Sequence, residues 1–470
     1  MRAIVIGGSI AGLSSALFLA RDGWDVTVLE ADDTVAPDAM DAETLWFRKG
    51  TPHSNQAHAF LAGAVKVLSQ RALDVLTYIE SNGAIRRSKE VFKPPGMPFV
   101  DGEDDLVVLN ARRPMVEWFI RKAALEQKGV TFRTGAHVAG LEARARHGIP
   151  HVAGVSLDGG EIVDGDIVID ASGRRTQVGR WLDAIGARAP AYYEEPCNEL
   201  YFGRYYLRTT DEGLPEINNA FLSVFPLPWG AALMFPGDNG VMQFAIGTLP
   251  EDEELKSRLR NAEGFHAFVS SIPHIQDWVA CGRPITDAAV MGNLNNYVRR
   301  LVVDGDPVVT GLHLVGDSAS ITNPQYGRGV SHAVVHASFV SSVLAAHPDD
   351  ARAQSVLVDT EVGRMLEPSV QNSIRNDRLR TSSWRAALGG TEPPDGLTEF
   401  DRKMNVASMQ FPEVWYAIVS TSLVLQPMRY WMQDETIMEK IHSVDPEAGG
   451  AGQAAHPSRD ILIEAMDKAT

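Results

Sequence analysis

The chain has 470 residues, of which 44% are hydrophobic and 22% charged, and its formal net charge is −17. At roughly 150 residues per domain, this length predicts about two or three domains. The acidic balance argues against a nucleic-acid partner, because phosphate recognition needs a basic face, and it gives no support for docking on anionic lipid.

Cys197 and Cys281 form no CxxC motif, so neither a disulfide framework nor a zinc ribbon is expected, and a reducing, cytoplasmic setting fits. No apolar run reaches the roughly 18 residues of a membrane helix, so no membrane insertion is expected. Arg2 and the apolar stretch after it could pass for a secretory leader. Gly7, Gly8 and Gly12 break that stretch, and a second strand pattern follows, which argues against that reading.

Residues Arg2 to Ile6 read as a short buried strand, Ala11 to Asp22 as a helix ended by Gly23, and Asp25 to Glu30 as a second strand. Together they form a β-α-β unit. Residues 31–55 look polar and irregular, and Ala57 to Asn82 looks helical. Pro114 to Lys128 reads as a helix, and Val130 to Arg133, Val152 to Leu157 and Asp166 to Asp170 as strands. From Leu200 to Thr248 the pattern changes to alternating, aromatic-rich strands with a hairpin turn at Pro236 to Gly240, as in an antiparallel sheet. The β-α pattern returns at Leu312 to Ala337. Helical character continues to about Ile441. Residues Asp445 to Arg459 read as a flexible linker, and the last ten residues as a short amphipathic helix.

Two constellations carry chemistry. The first is Gly7-Gly8-Ser9-Ile10-Ala11-Gly12, a GxGxxG turn with Ser9 at the second glycine position. Small residues there let backbone N–H groups approach a pyrophosphate lying on the helix N-terminus. Glu30 closes the second strand, where a carboxylate can accept the adenosine ribose hydroxyls. The second is Gly316-Asp317-Ser318-Ala319-Ser320, followed by Asn323-Pro324-Gln325-Tyr326-Gly327-Arg328-Gly329. Asp317 can hydrogen-bond a ribityl hydroxyl, a group that FAD has and NAD lacks. The turn then opens a helix whose N-terminus can stabilise negative charge on a reduced flavin.

These two motifs resemble those of single-component, FAD-dependent monooxygenases, the class A group that includes aromatic hydroxylases and squalene epoxidase. Arg48-Lys49-Gly50-Thr51-Pro52 with Gln56-Ala57-His58, Arg113-Pro114 at a helix start, and Val168 to Arg174 (VIDASGR) are similar to segments of bacterial epoxidases that act on polyketide polyenes. The chain departs from that pattern at His53, Asn55 and Gln56. Ser320 stands where the GDAAH histidine is usual, and the DG motif that such enzymes use for both FAD and NADPH is only partly kept around Asp170 and Gly173.

The resemblance implies an α/β fold: a discontinuous Rossmann-like FAD domain (1–75, 100–185 and 300–345), an inserted antiparallel substrate domain (76–99 and 186–299), a helical C-terminal region (346–442) and a flexible tail (443–470). It implies a cofactor-binding set of Gly7, Ser9, Ile10, Ala11, Gly12, Glu30, Arg48, Arg113, Val138, Asp170, Gly173, Asp317, Pro324, Gly327, Arg328 and Gly329. It implies that NAD(P)H, or a separate flavin reductase, reduces FAD. O2 then adds at flavin C4a, and the hydroperoxide oxygenates a small hydrophobic molecule by epoxidation or hydroxylation.

No catalytic triad is required, and no metal site is expected at His332 and His336. Candidate pocket residues are Tyr201, Phe202, Tyr205, Tyr206, Phe221, Phe225 and Trp229, with Trp415, Tyr416, Tyr430 and Trp431 as a cap. Half of the strand residues must point away, since strand side chains alternate. A non-redox [4+2] cyclase of the same fold is the alternative function. A halogenase is a weaker one, because no two tryptophans here are separated by a single residue, as that group's WxWxIP motif requires.

Overall fold

The computed structural model describes residues 1–51, 53–146, 148–391, 396–448 and 456–470. Five parallel strands form the first sheet, in the order Leu312–Leu314, Ile167–Asp170, Arg2–Ile6, Asp25–Glu30, Val130–Thr134. Both faces of such a sheet must be covered, and alternation along the first strand shows how. Ala3 and Val5 pack against helices Ile10–Arg21, Arg113–Glu126 and Gly329–Ala346. Ile4 and Ile6 pack on the other face, against Val152 and Val155 of an antiparallel meander, Val138–Arg146, Ile149–Leu157 and Ile162–Asp164.

The second sheet is antiparallel, in the order Ser223–Leu227, Gly230–Pro236, Val241–Thr248, Leu200–Arg208, Gly282–Pro284, with Ala289–Met291 also paired to Leu200–Arg208. One face carries Leu200, Phe202, Tyr206, Phe225 and Trp229, buried against helices Glu253–Leu259, Ala262–Ser270 and Ile275–Ala280. The other face meets the segment around residues 54–58: the Tyr205 hydroxyl donates to the Ser54 carbonyl at 2.5 Å, and the Gln243 side chain exchanges hydrogen bonds with the His58 backbone at 3.1 Å.

The hairpin turn at Pro236 to Gly240 is present, with Asn239 and Gly240 at positive φ (52° and 77°). It also does something the turn chemistry did not announce. Asp238 is fully buried and pairs with Arg112 at 2.6 Å, and Arg112 in turn donates to the carbonyls of Asp41, Ala42 and Thr44.

Two expectations are corrected. The helix read over residues 57–82 is a short strand, Ala59–Phe60, followed by helices Ala62–Arg71 and Leu73–Ser81. The strand pairs with Val108–Asn110, and Ala72 (φ −153°, ψ 53°) breaks the helical course. The tail from 443 is not loose at its end: helix Arg459–Ala469 buries Leu462 and Met466 in the core behind the antiparallel sheet, where their apolar surface leaves water. Residues 449–455 of the expected linker lie outside the described residues.

Helix Gly329–Ala346 is long and apolar enough to cross a membrane, with mean hydropathy 1.4, although its histidines and serines interrupt any uniform apolar run. Half of it is buried here, against helices Ile10–Arg21 and Ala62–Arg71.

Candidate functional site

The site lies where the parallel strands end. Gly7 sits at φ +100°, and a Cβ there would meet the Ala171 carbonyl at 2.5 Å. A Cβ on Gly12 would come within 1.8 Å of the Gly7 carbonyl, so the third glycine is fixed by helix-on-strand packing. The first turn of the helix presents the amides of Ile10, Ala11 and Gly12, which have no partners within the helix.

Ser9 is the N-cap residue but makes no capping bond. Its hydroxyl faces sideways, donating to Glu117 at 2.9 Å and accepting from Arg113 at 2.6 Å. Glu30 accepts from the Gly8 amide at 2.6 Å, the Asp32 amide at 2.8 Å and Arg48 at 2.7 Å. A carboxylate has about four acceptor positions, so one remains for a ribose hydroxyl.

Arg48 also contacts Glu117, and Arg113 pairs with Glu117 at 2.8 Å. Burial pushes the Glu117 carboxyl up, but Arg113 and Arg48 outweigh it and hold its pKa below the usual range. Sequence reasoning missed Glu117. Its i, i+4 spacing from Arg113 was the available signal. Val138 opens the meander, half-buried against the sheet, just beyond the point where the Ala136 amide donates to the Glu30 carbonyl at 2.9 Å.

The second group forms beside the first. A Cβ on Gly316 would touch the Cβ of Ala11 at 2.8 Å, so the GD turn lies directly on the first helical turn. Ser318 ties it to the VIDASGR segment: its hydroxyl donates to Asp170 at 3.2 Å and accepts from the Gly173 amide at 3.0 Å. Asp170 also accepts from the Ser172 amide (2.9 Å), the Ser172 hydroxyl (2.6 Å) and the Thr176 hydroxyl (2.5 Å). Its carboxylate is therefore occupied by local turn donors.

Asp317 is half-buried. Burial raises its pKa to about 6 against the pull of Arg113 and Arg174. Burial also keeps His53 neutral, helped by Arg113, His58 and Arg174, and lowers His58 to about 4. His53, His58, Arg113, Arg174 and Asp317 thus share one electrostatic neighbourhood. Pro52 of the similar segment lies outside the described residues.

The third group is the turn Pro324–Tyr326, Gly327 at φ +63°, Arg328 and the start of helix Gly329–Ala346. The Ser331 hydroxyl accepts the Leu61 amide at 3.0 Å, which brings the His58 segment to this helix end. Arg328 is 5% exposed, and its Nε and Nη1 have no hydrogen-bond partner. Burial lowers its pKa to about 10. The Nε atoms of Arg113 and Arg121 are also buried and unpartnered. Cβ atoms on Gly173, Gly327 and Gly329 would meet nothing within 4 Å.

Buried guanidinium nitrogens without hydrogen-bond partners, above all on Arg328, together with open backbone and a helix N-terminus, fit a large anionic dinucleotide. Arg48, Arg113 and the Ile10–Gly12 amides would hold its phosphates, Glu30 its ribose, and Asp317 with the Gly327–Gly329 turn its flavin end.

Residues 2–105 match the family model described as "DAO: FAD dependent oxidoreductase". The chain is an FAD-dependent oxidoreductase. A relative of this oxidoreductase, kynurenine 3-monooxygenase of Salinispora tropica, is 24% identical over 363 residues, spanning 75% of this chain and 74% of that one. Among solved structures, Pseudomonas aeruginosa PqsL in complex with 2-aminobenzoylacetate is similar with TM-score 0.60 at 15% identity, covering 83% of this chain and 99% of that one. The flavin-dependent brominase Bmp2 is similar with TM-score 0.63 at 13% identity, covering 94% and 98%. At such identities the structural likeness shows the shared fold.

Of the aromatic residues expected near the pocket, Tyr201 packs with Cys197 and Leu294, Tyr205 reaches Ser54, and the rest divide three ways. Phe202, Tyr206, Phe225 and Trp229 face away, into the helices behind the sheet. Tyr430 and Trp431 belong to the separate core of the C-terminal helices. Phe221, Trp415 and Tyr416 do meet, in a cluster with Phe92, Phe235, Val335, Val419, Ala59 and Leu61.

Proposed function

We propose that this oxidoreductase is a monooxygenase that places one oxygen atom of O2 into a small hydrophobic molecule, as an epoxidase or hydroxylase. The overall balance is substrate, O2, NAD(P)H and a proton giving oxygenated substrate, NAD(P)+ and water. The observation that carries this reading is the apolar cluster joining the flavin-domain side of the antiparallel sheet (Phe221, Phe235) to the helix that starts at Gly329 (Val335) and to Trp415. It offers apolar, half-buried surface next to the element that would face the flavin ring.

FAD, when bound, supplies the acceptance of two electrons and their delivery to O2. The chain's own part is positioning and exclusion of water. Arg328 and the first amides of helix Gly329–Ala346 favour negative charge at the flavin end. His53 and His58, kept neutral by burial, add no competing charge beside Asp317. The sheet closes the reactive side from bulk solvent. The resemblance to polyene epoxidases supports an extended apolar substrate.

Turnover under 18O2 with a panel of polyenes and electron-rich aromatics tests the proposal. It requires label in the product. Unlabelled substrate with peroxide as the sole oxygen product contradicts it.

One observation favours a second reading. Asp170, in the segment expected to serve nicotinamide, is taken up by Ser172, Thr176 and Ser318. A partner reductase supplying the electrons, or a non-redox cyclase using the same apolar surface, fits that arrangement.

A further inference from the structure

Behind the turn that precedes helix Gly329–Ala346 lies a buried polar network that ties Asn323 and Tyr326 of the second motif to residues outside both motifs. Asn323 is fully buried. Its amide donates to Asn296 at 2.8 Å and Ser373 at 3.0 Å, and its side chain donates to Glu199 at 3.1 Å and Asp377 at 3.0 Å. The Tyr201 hydroxyl donates to Asn323 from the antiparallel sheet. Asp377 accepts from the Tyr326 hydroxyl at 3.0 Å, from Arg380 at 2.7 Å and from Asn296 at 2.7 Å. Arg380 donates to the Tyr326 oxygen at 2.9 Å and to Glu199 at 2.5 Å. The ring of Tyr326 carries the Arg328 guanidinium 4.9 Å from its centroid.

Four separate regions supply these groups, Asn296 coming from strand Asn295–Arg300. Glu199 and Tyr201 lie at the start of the antiparallel sheet, Asn323 and Tyr326 in the turn, and Asp377 and Arg380 in helix Glu367–Ala387. Burying two carboxylates and a guanidinium is a poor way to gain stability, since apolar packing of the same volume often does as well or better. A connected polar network instead fixes geometry, because each member has one set of partners. Here the geometry fixed is that of Tyr326, and Tyr326 is the surface on which Arg328, whose Nε and Nη1 have no hydrogen-bond partner, rests.

We propose that Asp377, Arg380 and Tyr326 are positioning residues for the flavin end of the site: they fix where Arg328 and the first amides of helix Gly329–Ala346 lie, and so set how strongly the reduced, negatively charged flavin is favoured over the oxidised form. This rests on the FAD reading above.

The test is the FAD midpoint potential of the holoprotein, measured with melting temperature, for Tyr326→Phe, Arg328→Gln and the double variant. Tyr326→Phe keeps the ring and every charge and removes only the hydroxyl bridge. The expected result is a lowered potential, equal to roughly a fivefold loss of preference for reduced flavin, with little change in melting temperature. In the Arg328→Gln background the same change has no further effect on potential.

Arg380→Lys, which keeps the charge and loses the fork, is expected to lower the potential in the same direction, and keeps the idea testable if Tyr326→Phe folds poorly. Unchanged potentials in Tyr326→Phe and Arg380→Lys overturn the proposal. So does an equal shift with and without Arg328. A wild-type protein that holds no FAD overturns the underlying reading, and is recognised by its lack of colour.

Discussion

The two sheets of this molecule reach their order by opposite routes. In the parallel sheet, contacts are local and backbone-deep: Gly7, Gly12 and Gly316 hold positions where a single Cβ would strike a carbonyl or a neighbouring methyl. In the antiparallel sheet, side chains decide, and alternation sends Phe202 and Tyr206 to a packed core while Tyr205 and Gln243 reach the segment around residues 54–58. The difference shows why short motifs report the first region and only residue alternation reports the second. A glycine forced by backbone approach is visible as a letter. A side chain's destination depends on what lies across the sheet.

Substitutions can break this contrast, and the largest effect is expected at Gly12. Gly12→Ala places a methyl against the Gly7 carbonyl, so flavin absorbance in the purified protein is expected to vanish or the protein to be insoluble. Protein that stays yellow would mean the turn has room it does not show.

Next come two changes tied to the antiparallel sheet. Phe202→Ala removes a fully buried ring and is expected to cost ~3–5 kcal/mol in denaturant unfolding. Asp238→Ala leaves Arg112 buried without its partner, with a cost of about 3–5 kcal/mol. A loss under about 1 kcal/mol at either site would place it outside the cooperative core.

Acid is expected to act through several groups at once. Burial lowers His58 and His313 to about 4, and His332 and His336 to about 3, from an ordinary 6.5. Unfolding lets all four take up protons, so their contribution is full above about 6.5 and is lost as pH falls through the range down to 3. Asp317, raised to about 6, works the other way as a single group: its folded form favours the proton, so its contribution is present at low pH and lost as pH rises toward 6. The melting temperature is therefore expected to fall between pH 7 and pH 5. A flat profile would mean these histidines are not buried neutral.

The smallest stability effect is expected at Phe235, on the flavin side of the sheet. Phe235→Ala should change stability less than Phe202→Ala while raising KM for the apolar substrate, which sharpens the division between the two faces.

The same contrast sets how far the sequence could be read. The β-α-β start, the strand at Ile167–Asp170, the change to alternating strands near Leu200 and the second motif at Gly316 all rest on local pattern. Helices 253–280, packed behind the antiparallel sheet, carried too little pattern to be noticed. The partners Arg112–Asp238, Glu199–Arg380 and Asn323–Asp377 were not legible, because each joins residues far apart in the chain whose meeting depends on the whole fold. The single helix expected over residues 57–82 failed for a related reason: strand Ala59–Phe60 exists only because Val108–Asn110 lies beside it.

The central claim, that the flavin in this site turns over with oxygen, is tested most directly by anaerobic stopped-flow. The yellow protein is mixed with NADPH or NADH, with and without candidate substrates, and then with O2. Bleaching of the flavin by one of the nucleotides is the expected result. On mixing with O2, a transient spectrum distinct from both oxidised and reduced flavin is expected before the yellow colour returns. Flavin that neither nucleotide bleaches, under any of these conditions, would contradict a self-contained oxygenase and leave the reductase-fed or cyclase reading in its place.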